Sequence, residues 1–324
     1  MVKKFAKATL LFLATLIIGL FSMTMFGGCS RNGPPDIVVT IFPAYDWVNV
    51  VLGDNPSNLR VRYLMENGID PHFYSPSIQD TAAIINSRLF IYIGEAEFNV
   101  TPILRQNPSV NKLSLVDLVE TKSRPIDELP DEHECDSDCI HADIHDEHVW
   151  LSLRFARVFV NAIADELSLL DPANETYYRV NAATYNARLL ELDIEFEQTV
   201  GLNSNRNRDT LLFADRFPFL YMMDDYDINS YAAFNTCSTE TTITPQRRAF
   251  LEEIIRIYEL DIILILEYST TGNLANEIVN ATNASSVKTM NAMQIISRSN
   301  ITNDSLTYLS IMRDNLNVLK EALA

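Results

Sequence analysis

Imidazole, carboxylate and thiol side chains are the usual ligands of divalent transition metals, and this chain gathers them. Four of its five histidines, His133, His141, His145 and His148, stand in one acidic stretch that runs from Asp131 to His148, and Cys135 and Cys139 lie among them. The fifth, His72, stands far upstream in Asp70-Pro71-His72. Two readings of the stretch are open on composition: a loop built to meet a metal ion, or a solvated acidic loop with no ligand. His148 differs from its neighbours because Val149-Trp150-Leu151 follows it, an apolar run that should be buried and should fix its position. His133, His141 and His145 have little around them to hold them, which suits a flexible metal collector. His72, taken alone, reads equally as a satisfied structural imidazole.

The N-terminus has the pattern of an export signal: Lys3, Lys4 and Lys7, an apolar run to about Phe26, then Gly27-Gly28-Cys29-Ser30. Small residues before a cysteine resemble a bacterial lipobox, so residues 1–29 are expected to form a signal peptide with Cys29 lipidated. An uncleaved anchor helix is the alternative. Either way the folded part is expected outside the cytoplasm, held at a membrane. No second long apolar run suggests a multi-span protein. A net charge of −18 argues against nucleic acid as a partner. Four cysteines are too few for a disulfide scaffold. Cys135 and Cys139 can pair with each other, or bind metal if reduced, and the sequence does not choose.

Elements must bring His72 and His148 together. Short apolar, β-branched runs occur at 37–41, 61–64, 89–93, 211–214, 231–234 and 262–266, with a shorter one at 287–290. Periodic helical segments such as 78–85 and 247–258 lie between them. Alternation of this kind predicts an α/β chain with mostly parallel sheets. Asp171-Pro172 reads as an N-cap and first-turn proline. The Gly- and Pro-free segment 173–200 that follows predicts a helix of roughly 27 residues, about 40 Å long. Val180, Ala183, Leu189, Leu192, Phe196 and Val200 form its apolar stripe. It is expected to be a spine, residues 171–201, joining an N-terminal lobe at 35–170 to a C-terminal lobe at 202–324. The acidic loop, 127–147, belongs to the first lobe. A last helix is expected at about 303–323, burying Leu306, Leu309, Met312, Leu316, Leu319 and Leu323.

Ligands of open α/β sheets collect beyond the carboxyl ends of the strands. His72 lies a few residues past 61–64, Asp215 follows 211–214, Glu267 follows 262–266, and Asn291 follows 287–290. Asp215 and Glu267 read equally as caps or salt-bridge partners.

Two motifs carry a family resemblance over nearly the whole mature chain. Gly68-Ile69-Asp70-Pro71-His72-Phe73-Tyr74-Ser75-Pro76 resembles the G-x-D-P-H-x-Y-x-P motif of the zinc- and manganese-binding lipoproteins of bacterial ABC importers. Asp146-Glu147-His148-Val149-Trp150-Leu151 resembles their D-x-H-x-W-L motif, and 39–43 resembles their first strand. The resemblance implies two α/β lobes joined by one long spine helix. It implies His72 and His148 as metal ligands from the first lobe. It places Asp215 where the family carries a third ligand and Asn291 at a fourth, with Glu267 and then Glu240 as nearby carboxylates. It further implies a monomeric, lipid-anchored extracytoplasmic protein that captures Zn2+ and passes it to an ABC permease and its ATPase. Manganese is the alternative cargo, and an adhesin or receptor reusing the fold is the alternative role. An exported metallohydrolase is disfavoured because the chain has no H-E-x-x-H.

Overall fold

The computed structural model describes residues 33–94, 99–123, 145–204, 209–234, 242–269, 271, 273–303 and 305–324. Cys29 and the leader, His133, His141, Cys135, Cys139 and Glu240 lie outside them.

The first sheet is built from β1 (Ile37–Val39), α1 (Phe42–Leu52), β2 (Val61–Tyr63), α2 (Ile78–Asn86), β3 (Leu89–Tyr92), α3 (Thr101–Gln106) and β4 (Lys112–Ser114). Its strands are all parallel, in the order β2-β1-β3-β4. Helical crossovers cover a parallel sheet, which is why β1 and β3 are wholly buried apolar runs. Pro43 opens α1, so Phe42-Pro43 belongs to a helix and not to the strand read from the sequence. Ser77 starts α2 with a capping box: its hydroxyl accepts the Asp80 N–H at 3.1 Å, and Asp80 accepts the Ser77 N–H at 3.0 Å.

Two long helices follow, α4 (Leu153–Leu170) and α5 (Glu175–Ser204), packed along one another. The spine is therefore α5, 30 residues long, preceded by a 3-10 turn at Pro172–Asn174. Asp171 does not cap that turn with its side chain; its carboxylate accepts the hydroxyls of Ser57 at 2.5 Å and Tyr178 at 2.7 Å. The buried stripe of α5 is Tyr178, Ala182, Tyr185, Leu189, Leu192, Phe196 and Val200. Val180 and Ala183 fall on the exposed side. Aromatic residues with polar tips, Tyr178 and Tyr185, set the register that an aliphatic count misplaces.

The second sheet comprises β5 (Thr210–Phe213), α6 (Leu220–Asp225), β6 (Asn229–Ala232), α7 (Pro245–Tyr258), β7 (Ile262–Leu266), α8 (Leu274–Ala281) and β8 (Ser286–Met290). It too is all parallel, in the order β6-β5-β7-β8. The fold is thus two α/β lobes joined through a long helix. The closing helix is present but begins five residues later than expected. A short α9 (Arg298–Asn303) precedes α10 (Tyr308–Ala322), and α10 begins at a Thr307–Ser310 capping box. Leu306 lies ahead of α10 and only packs against the core.

One hydrophobic core runs from the first sheet through α4, α5 and α10 to Phe213, Phe219, Met290 and Met293 of the second lobe. A separate cluster around Leu251, Ile255 and Ile278 packs α7 and α8 onto the second sheet. Residues 291–298, just past β8, cross to the first lobe. There Ala292 O accepts the Trp150 indole N–H at 2.9 Å, Ile296 O accepts the Tyr63 hydroxyl at 2.8 Å, and Arg298 N–H donates to Glu66 O at 2.7 Å.

Candidate metal centre

His72 is set by the turn that carries it. Asp70 caps the 3-10 turn Pro71–Phe73 by accepting the His72 N–H at 3.0 Å, with Pro71 fixing the first position. Asp70 is in turn bridged by Arg216 of the second lobe, Nη1 to Oδ2 at 3.4 Å.

His148 is set more tightly still. One oxygen of Asp146, Oδ1, lies 2.9 Å from both the His148 N–H and its ring Nδ1. That contact fixes the proton on Nδ1 and leaves Nε2 as the outward lone pair. The Asp146 backbone is itself held, its N–H by Lys122 O at 2.9 Å and its carbonyl by the Tyr221 hydroxyl at 2.6 Å. The imidazole is wholly buried, with the Trp150 ring 5.0 Å away.

The two imidazoles meet, ring centroids 5.7 Å apart. Between them stands Glu147, its Oε1 at 3.3 Å from His72 Nε2 and 4.0 Å from His148 Nε2. One ligand atom from each of His72, Glu147 and His148 falls within 4.8 Å of the others. The donor set fits a metal: His72 Nε2 is buried and makes no hydrogen bond. A buried orphan nitrogen facing a carboxylate and a second imidazole is a costly arrangement without a cation between them.

The electrostatics divide the histidines. Burial works to lower the pKa of His148, but the carboxylates of Asp146 and Glu147 outweigh it and hold the imidazole above its ordinary value. His72 moves down, first because it is buried and then because charge on His148 repels its proton.

The other expected residues have hydrogen-bond partners of their own. Asp215 is buried, and both its oxygens accept backbone N–H groups, Arg216 at 2.8 Å and Leu266 at 3.1 Å. It ties β5 to the end of β7. Glu267 accepts the Asn291 side-chain amide, and burial raises its pKa. Asn291 also accepts the Met293 N–H at 2.7 Å and donates its own N–H to Asn315 at 2.8 Å. Neither Asp215 nor Glu267 joins the cluster among the described residues. His145 is exposed, in an isolated bridge with Ser123. Glu147 was missed in the sequence because an acid in an acidic run carries no signal of its own. A second missed residue is Gln294, whose Nε2 lies 2.8 Å from His148 Nε2.

Asp146 positions His148 without joining the cluster. Asp146→Asn keeps the shape but removes the charge, so zinc affinity is expected to fall about 10–100-fold. Calorimetric titration checks this, with an unchanged far-UV spectrum showing that the fold persists.

Comparison with known proteins places this geometry. Residues 37–322 match the family model described as zinc-uptake complex component A, periplasmic. The chain is 24% identical over 313 residues to the high-affinity zinc uptake system protein ZnuA of Bacillus subtilis (strain 168), covering 93% of this chain and 92% of that protein. It is 27% identical over 316 residues to the zinc-binding lipoprotein AdcA of Streptococcus pneumoniae (strain ATCC BAA-255 / R6), spanning 96% of this chain but 60% of that longer protein. The fold matches the crystal structure of the Zn(II)-bound ZnuA-like domain of Streptococcus pneumoniae AdcA with a TM-score of 0.70 at 24% identity, covering 90% of this chain and 99% of that one. A match that takes in both sheets, the spine and both histidine turns makes this chain a member of the periplasmic zinc-uptake component A family.

Proposed function

We propose that the protein captures zinc outside the cytoplasm and delivers it to an ABC permease driven by its ATPase, with Cys29 as the lipid anchor. The observation that carries this reading is the trio of His72, Glu147 and His148, the last two buried, with the His72 Nε2 atom itself buried and making no hydrogen bond. Two imidazoles and a carboxylate suit tetrahedral zinc, and a nitrogen-bearing set favours zinc over manganese on intrinsic affinity. The curated relatives described above are named as zinc-uptake and zinc-binding proteins, which supports the same cargo. The exposed His145, with His133 and His141 of the acidic stretch, serves as a collector ahead of the buried site. Binding and hand-over exchange coordination bonds to the ion and alter no covalent bond of a substrate, so the role is transport, not catalysis.

The test is metal content and competitive titration of the purified protein. One equivalent of zinc that excess manganese does not displace is the expected result. Zinc is also expected to leave as pH falls. The metal takes deprotonated imidazole, and the raised pKa of His148 lets protons compete from a higher pH than at a free imidazole. Preference for manganese would make the cargo manganese. No tight site for either metal would overturn the reading.

A further inference from the structure

We infer that α6 of the second lobe is a splint for His148: Tyr221 and Asp225 grip the two ends of the segment 146–152 that carries this ligand, and act on it as positioning residues through Asp146 and Ser152. This rests on the metal-capture reading above. Tyr221 and Asp225 stand four residues apart on one short helix, so both project from the same face. The Tyr221 hydroxyl donates to Asp146 O at 2.6 Å and accepts the Lys122 N–H at 3.1 Å. Asp225 Oδ2 accepts the Ser152 hydroxyl at 2.6 Å. Ser152 in turn caps α4 by accepting the Phe155 N–H at 3.0 Å. One end of the grip therefore sets Asp146, and the other sets the start of a long helix.

The segment needs such support because little regular structure holds it. Its one turn is a 3-10 turn at Val149–Leu151, and His148 lies ahead of it. The imidazole takes its direction from Asp146 Oδ1, which holds both the ring Nδ1 and the His148 N–H. A shift of Asp146 is thus a shift of His148, and a ligand keeps its full worth only when held to within about 0.5 Å of its productive place. The middle of the segment is fastened as well, since Ala292 O accepts the Trp150 indole N–H and the Tyr308 hydroxyl donates to Trp150 O. A first-lobe ligand is in this way set largely by groups that follow the spine.

Both grips can be released without dismantling α6. The Tyr221 ring is 2% exposed and packs with its centroid 5.5 Å from that of Phe155, so it stays seated when the hydroxyl is removed. Asp225 is half-buried, and Arg154, 3.8 Å from its other oxygen, keeps Glu197 at 2.7 Å when that carboxylate is lost.

The test compares the parent with Tyr221→Phe, Asp225→Ala and the double variant. Tyr178→Phe is the control, because it deletes a buried hydroxyl bonded to Asp171 at the start of the spine. Each protein is titrated with zinc, its zinc release into excess chelator is timed, and the visible band of its cobalt(II) complex is recorded. Tyr221 and Asp225 stand one bond further out than the partners whose loss costs about 10–100-fold, so each single variant is expected to bind zinc about 3–10-fold weaker. While one grip remains it limits the loss, so the double variant should fall below the product of the two by about threefold or more. Its release should be faster and its cobalt band shifted, while Tyr178→Phe binds zinc like the parent. A double variant with the parent's zinc affinity and cobalt band, however much less stable, would overturn the splint and leave the metal site standing. Equal losses in Tyr178→Phe would overturn it too, since the effect would then be general. A parent that takes up no metal would overturn both readings.

Discussion

His72→Ala and His148→Ala each lower zinc affinity by at least about 100-fold, because a ligand is worth more than the outer partners whose loss costs 10–100-fold. The two variants separate on stability. His72 makes no hydrogen bond through Nε2, so its removal takes little from the fold. His148 stands against Asp146, whose carboxylate is buried and loses its ring partner on truncation, though it keeps the backbone N–H of residue 148. His148→Ala is therefore expected to lose about 1–3 kcal/mol of folding stability as well. Calorimetric titration and denaturant unfolding of both variants measure the two effects. Parent-like zinc binding in either variant would place the site elsewhere.

Trp150→Ala should cost about 3–5 kcal/mol, the usual range for deleting a buried large aromatic. Trp150 is 1% exposed, its indole N–H donates to Ala292 O across the lobes, and its own carbonyl accepts the Tyr308 hydroxyl at 2.8 Å. Trp150→Phe keeps most of the volume but leaves the Ala292 carbonyl without the indole, at about 1–3 kcal/mol. The alanine variant also removes the wall beside His148 and loosens the segment that carries Gln294. Zinc affinity is expected to fall with stability in Trp150→Ala. In Trp150→Phe it should fall far less. Unfolding midpoints with and without zinc test this, and an alanine variant as stable as the parent would refute it.

Much of the fold is readable in the sequence because it rests on buried, β-branched runs. All seven runs read as strands form strands, with ends shifted by a residue or two. Lys112–Ser114 escaped notice because three residues, one of them exposed lysine, give no alternation to see. The helix α4 was overlooked although Leu153, Ala156, Phe159, Val160, Ile163 and Leu167 make a regular face. The late start of α10 is a capping event at Thr307, invisible to a count of leucines. The site follows the same division. His72 and His148 are marked by their local motifs, each with an aspartate two residues before it that turns out to hold it. Asp215 was legible as a polar residue at a strand end, but the backbone amides that satisfy it come partly from a strand 51 residues away. Gln294 lies four residues past β8, beyond the reach of a strand-end rule, and only the crossing of that segment brings it to His148.

That crossing segment has a consequence for how the cargo is announced. Trp150, Tyr63 and Glu66 of the first lobe are bonded to residues 292–298, over a core shared by both lobes. The lobes are thus joined by hydrogen bonds and packing as well as by the spine, and these contacts oppose a wide hinge opening between them. Under the function proposed above, a permease would meet a molecule whose lobes stay joined, unlike a receptor that reads the closing of a hinged jaw. What it would then read is local, and the turn carrying His72 offers such a feature: Phe73, next in the chain to that ligand, is 62% exposed.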